Sequence, residues 1–155
     1  MYTGIALAFS ELSTELIQKH QLDRRIFARG GEQEIRFLTH QAERLLPIWH
    51  QGQMRLVRWG CRRGDSKILP CNVWTWKASV EAGRWADWHG ESVEIPATLG
   101  LENGVWFRIL QGIRGILARD SQGVEAVYMI CEPATHYYEI MTRSKRMPVL
   151  IDELI

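Results

Sequence analysis

The turn signals in the second half of this chain limit what it can fold into. Ser92–Ile95 is extended in composition and is closed by Pro96. Leu99–Glu102 runs into Asn103-Gly104, a pair that readily takes the two left-handed positions of a tight hairpin turn, and Val105–Leu110 runs back. Gly112 marks a second turn, Ile113–Ala118 a further strand, Asp120–Gly123 another tight turn, and Val124–Cys131 a last strand. This spacing predicts an antiparallel meander over Glu94–Cys131.

The first half is less sharply marked. Tyr2–Phe9 reads as a small, apolar strand. Ser10 follows as a candidate N-cap for a helix through Glu11–Ile17, whose early carboxylates suit the helix dipole. Arg24–Arg29, Glu34–Thr39 and Met54–Trp59 carry strand composition, separated by Gly30-Gly31 and by a turn around Gln51–Gln53. Cys61–Pro70 is a basic loop, Asn72–Trp76 a short aromatic stretch, and Lys77–Trp88 has helical character interrupted by Gly83. The expected architecture is α+β: a curved, mostly antiparallel, barrel-like β-sheet with a few short helices, forming one domain over residues 1–155.

Net charge excludes one class of behaviour. At +1, no global field draws the chain to nucleic acid or membrane, so anion binding must come from local clusters. The apolar amino-terminal stretch has no basic leader and runs into Glu11 and Glu15, and no apolar run is long enough to span a bilayer. Three cysteines, Cys61, Cys71 and Cys131, with no paired spacing, fit reduced thiols in a cytoplasmic protein. The histidines show no ligand spacing, so neither a metal nor a cofactor is expected.

Cationic clusters are the more informative feature. Arg55 and Arg58 lie on one strand, Arg62, Arg63 and Lys67 in the loop after it, and Arg143, Lys145 and Arg146 near the end. Each alone is an ordinary solvated face. Converging, with Trp59 and Trp74 among them, they would track phosphates and stack bases. The seven tryptophans fit either such a surface or a packed core. Glu102, beside apolar strand residues and before a hairpin turn, is the carboxylate best placed for a raised pKa and acid–base work.

Four stretches, in order, resemble the SOS response-associated peptidase (SRAP) family. Arg58-Trp59-Gly60 resembles its Trp-Gly strand end, and Cys71–Trp76 sits where the family has Asn-Ala-Arg-x-Glu-Thr. Ile95–Glu102 resembles its Pro-Ala-Asp-Gly-x-x-Glu segment. Met129–Ala134 with Ser144–Leu150 resembles the strand and the His-Asp-Arg-Met-Pro-Val-Leu segment around its active-site loop. The resemblance implies a β-rich fold with a basic groove that binds single-stranded DNA at abasic sites. In that family an amino-terminal cysteine closes a thiazolidine on the sugar aldehyde, assisted by an Asn, a Glu and a His.

Carried over by position, these assisting residues fall on Asn72, Glu102 and Ser144, the last a degenerate replacement for the His. The nucleophilic cysteine is missing: position 2 is Tyr2, so the thiazolidine cannot form. The resemblance therefore implies a domain that has lost the covalent cross-link and binds single-stranded or damaged DNA non-covalently. Arg58, Arg62, Arg63, Arg143 and Arg146 would meet phosphates, and Trp59 and Trp74 would meet bases. Two alternatives stand beside it. One is an abasic-site lyase using the Met1 α-amine, with Glu102 as acid or base. The other is a phage-derived protein-interaction module.

Overall fold

The computed structural model describes residues 1–151. The chain runs β1 (Gly4–Ala8), α1 (Thr14–Lys19), β2 (Ile26–Arg29), β3 (Glu32–Leu38), β4 (Leu45–His50), β5 (Gln53–Arg58), β6 (Trp74–Trp76) and α2 (Lys77–Glu81). It continues through β7 (Glu91–Ile95), β8 (Leu99–Glu102), β9 (Val105–Arg108), β10 (Ile113–Arg119), β11 (Glu125–Pro133), α3 (His136–Thr142) and β12 (Arg146–Pro148). The α+β class holds: the sheets are mostly antiparallel and the helices short. The strands form two sheets, ordered β2-β3-β1-β8-β9 and β12-β11-β10-β7-β4-β5, with β6 parallel to β11, and no closed barrel forms among the described residues.

The expected meander is split between these sheets. The β8–β9 and β10–β11 hairpins form as the turn residues dictate, and Asn103 and Gly104 both take positive φ. However, β7 pairs with β10, while β8 leaves to pair with β1. The reason lies after Pro96. The Thr98 amide and hydroxyl both donate to the Ala6 carbonyl, at 2.9 and 3.0 Å, which carries the chain across to β1. It returns through Gly112, at φ 146°, where a Cβ would stand 2.8 Å from the Ile95 carbonyl oxygen.

Ile5, Leu7, Ile35 and Phe37 of one sheet and Leu46, Ile48, Ile95, Ile113 and Met129 of the other form the main core between them. The continuous apolar run of β11 has a matching explanation. Its alternate residues Ala126, Tyr128 and Ile130 face a second core, with Cys61, Leu69, Trp85 and Ile116, so this strand is covered on both faces.

The helices depart from expectation. Phe9–Glu11 is only a 3-10 turn, and the N-cap is Ser13, not Ser10; its hydroxyl accepts from the Leu16 amide at 3.2 Å. The Lys77–Trp88 stretch is broken after Glu81, with Gly83 at φ 74° and a separate 3-10 turn at Ala86–Trp88. The segment before the last basic cluster contains α3, capped by the Thr135 hydroxyl, which accepts from the Tyr138 amide. No helix among the described residues is long and apolar enough to cross a membrane.

Candidate active site at the amino terminus

The register of β1 on β8 sets Gly4 opposite Leu101, and the Thr3 amide donates to the Leu101 carbonyl at 2.9 Å. The residues before β1 therefore run past the end of β8, where Glu102 closes the strand. The Met1 α-ammonium donates to Glu102 Oε1, forming an ion pair with a carboxylate that is 2% exposed. It also donates to Ser144 Oγ at 2.7 Å.

Ser144 is held in an accepting role. Its own hydroxyl donates to the Arg146 carbonyl at 2.8 Å, and its amide donates to Thr142 Oγ1 at 3.2 Å. Just before it, α3 ends at Arg143, which takes the left-handed conformation at φ 60°, and the Asn103 side chain donates to the Thr142 carbonyl at 2.6 Å. The turn after β8 and the end of α3 thus clamp the segment that carries Ser144.

The second carboxylate oxygen of Glu102, Oε2, is buried without a hydrogen-bond partner. Burying such an oxygen unpaired costs about 1–3 kcal/mol, which is a reason to look for chemistry there. Tyr2 packs its ring over Gly100, where a Cβ would lie 2.5 Å from the ring, so glycine is required beneath it. The Tyr138 hydroxyl is buried close to Tyr2 and Glu102. Burial, with those two groups beside it, pushes its phenol well above the usual range. Burial likewise pushes the Cys131 thiol up to about 11, although Arg146 and the amino terminus act to lower it.

Beside this cluster Arg146 lays its guanidinium over the Trp74 ring, 4.1 Å from the centroid. This is a cation–π stack that leaves a planar cationic and aromatic edge next to the amine. Arg143 and Lys145 are exposed on the same segment.

The structure thus brings together Glu102, Ser144, Trp74, Arg146 and the Met1 amine, with Arg143 on the same segment and Asn72 in one hollow with Trp74, and leaves Trp59, Arg58, Arg62 and Arg63 outside the cluster. Trp59 is wholly buried, with its indole N–H on the Val73 carbonyl at 3.0 Å; a ring packed on all sides offers no face to a base. Arg62 binds the backbone carbonyls of Ala42 and Gln41, at 2.8 and 2.6 Å, and so pins a turn instead of standing ready for phosphate. Arg58 lines a separate hollow of about 390 Å³ with Arg44 and Arg62, balanced by Glu43, Asp65 and Glu125. Arg63 is exposed in the following loop. Asn72 is exposed, and its side-chain oxygen accepts from the Val73 amide at 2.9 Å.

Sequence reasoning missed Tyr138 and Cys131 as neighbours of this cluster. The signal for Tyr138 was present in Thr135, a helix cap that places Tyr138 and Thr142 on one face of α3. Among the described residues, no three His, Cys, Asp or Glu side chains gather as a metal ion would need. Comparison with family models, curated proteins and solved structures gives no match.

Proposed function

We propose that the chain is a SRAP-like domain that binds single-stranded DNA at abasic sites and captures the sugar aldehyde on the Met1 α-amine. The observation that carries this reading is the pairing of that amine with buried Glu102. The fold carries two mostly antiparallel sheets in place of a closed barrel, and the free thiols fit a cytoplasmic setting.

The chemistry follows from the geometry. Glu102 takes a proton from the ammonium, and the amine nitrogen forms a bond to the aldehyde carbon. That proton goes to the carbonyl oxygen to give a carbinolamine, a second proton passes from its nitrogen through Glu102 to the hydroxyl, and the oxygen leaves as water, giving a protonated imine. Ser144 orients the amine through a lone pair, because its own proton lies on the Arg146 carbonyl. Without a neighbouring thiol at position 2 the imine has no ring-closing partner, and it drains by strand cleavage or hydrolysis. Trp74 would stack on a base, and Arg143 and Arg146 would meet phosphates.

Borohydride trapping on an abasic oligonucleotide tests this. The expected product is a reduced adduct whose mass maps to Met1, with the trapping rate lowered at least about tenfold in Glu102→Gln, as for loss of a positioned acid–base group. Salt-sensitive binding without any trapped adduct would reduce the reading to non-covalent recognition. Absence of both would overturn it.

A protein-interaction module is favoured by one observation, the exposed apolar face of α3 formed by Tyr137, Ile140 and Met141. A dimer on gel filtration without oligonucleotide affinity would select it.

A further inference from the structure

A cavity of about 820 Å³ lies between α3, β9 and β12, with Tyr2 in its lining. Its size falls within the span of small-molecule sites, about 300–1,000 Å³. The two kinds of residue around it differ sharply. Tyr2, Phe107, Met147 and Leu150 give an apolar, partly aromatic lining, with Tyr138 and Met141 of α3 beside them. Lys77, Arg108 and Arg114 supply positive charge, against one carboxylate, Glu132, among the described residues.

Two of those cations are loosely held. Lys77 Nζ stands 3.8 Å from a carboxylate oxygen of Glu132 and 3.8 Å from one of Glu81, too far for a hydrogen bond to either. Arg108 is exposed and makes no side-chain hydrogen bond or ion pair among the described residues. Arg114 has a partner of its own and is not assigned a ligand-holding role. An apolar body in the cavity removes lining surface from water, while an acid group at the rim meets Arg108, which has no competing partner among the described residues, and Lys77, held only by long ion pairs to Glu81 and Glu132.

We infer that this cavity binds a small anion with an apolar body, its phosphate or carboxylate held by Arg108 and Lys77. A neutral apolar ligand would cover the lining and leave Arg108 unpaired at the rim. A long polyanion would place its charge against the apolar lining. Only an amphipathic anion satisfies both sides. The inference is independent of the aldehyde chemistry, since neither cation belongs to the amine cluster.

Titration calorimetry on the full chain, with 1-naphthyl phosphate as probe, tests it. One-site saturation is expected. Arg108→Gln and Lys77→Gln should each weaken binding by about tenfold, the effect of losing one charge-assisted hydrogen bond. Arg84→Gln, exposed and outside the cavity, should leave it unchanged. Both test positions are exposed, so the fold should survive, which circular dichroism checks. Displacement by octanoate would extend the site to carboxylates, and its failure would restrict it to phosphates. Equal affinity for 1-naphthol, no saturation up to about 1 mM, or no effect of either substitution would overturn the inference.

Discussion

The three thiols of this chain sit in three different environments, and their reactivity should separate accordingly. Cys71 is exposed, whereas Cys61 and Cys131 are buried, and burial pushes both buried thiols up, Cys131 to about 11. Thiolate is the reactive form, so near pH 8 only about one Cys131 in a thousand is available even before access is considered. Titration of the native protein with a chromogenic disulfide should release one equivalent quickly and the other two only on unfolding. Fast release of three would contradict the burial described. At this same scale the sequence was legible for Glu102, because a carboxylate among apolar strand residues at a hairpin end has few places to go. It was not legible for the tryptophans. Trp59 and Trp74 stand in similar aromatic, basic surroundings in the sequence, yet one is core and the other carries Arg146. Only the way the chain folds back at Gly60 decides between them.

That fold-back is a property of elements. After β5, Gly60 takes φ 63°, and its amide donates to the Val127 carbonyl of β11 at 2.8 Å. A Cβ there would stand 2.0 Å from the Asn72 carbonyl oxygen and 2.7 Å from Val73 Cα, both backbone atoms that cannot swing away. Gly60→Ala combines a left-handed non-glycine residue with a backbone clash, so it should cost at least about 2 kcal/mol. The urea midpoint measures this, and a loss within about 0.5 kcal/mol, typical of a plain surface change, would show the approach to be loose. The hairpins were legible as elements because their turns are local chemistry. Their assignment to sheets was not, because the hydrogen bonds of Thr98 to Ala6 join residues 92 apart in sequence. The short helices were the least legible. Each is too brief for a clear 3.6-residue period, and their caps, Ser13 and Thr135, were the only strong local signs.

For the whole molecule the acid limb of stability is set by groups that share one sign. The Ser66 hydroxyl, and the amides of Val124, Gln122 and Gly123, hold the Asp120 carboxyl below its usual range. Burial pushes the Glu125 carboxyl up, but Arg55 and Arg119 pull it further down, so it too lies low. Both acids are more readily ionised folded than unfolded. Their contribution is therefore complete above the unfolded carboxylate range, about pH 4–5, and is lost as pH falls toward the lower folded values. Burial, aided by Lys19, lowers the His20 pKa, so its protonation on acidification also favours the unfolded chain. The urea midpoint should begin to fall as pH drops through about 6.5, where His20 protonates in the unfolded chain, and fall more steeply below about pH 4, with the steeper part reduced in Asp120→Asn. An unchanged acid limb in that variant would remove Asp120 from the account. The α+β class, mostly antiparallel, was legible from turn spacing, but the division into two sheets in place of one curved, barrel-like sheet was not. The meeting of Glu102 with Met1, 101 residues apart, was reached in the sequence only through the family resemblance and as an alternative, because no local signal joins them. That meeting has a practical side. A purification handle fused ahead of Met1 would turn the amine into an amide, leave Glu102 facing a peptide bond and block the Schiff-base capture proposed above, however well the protein folds. A handle belongs at the opposite end of the chain, or must be cleaved without leaving a scar.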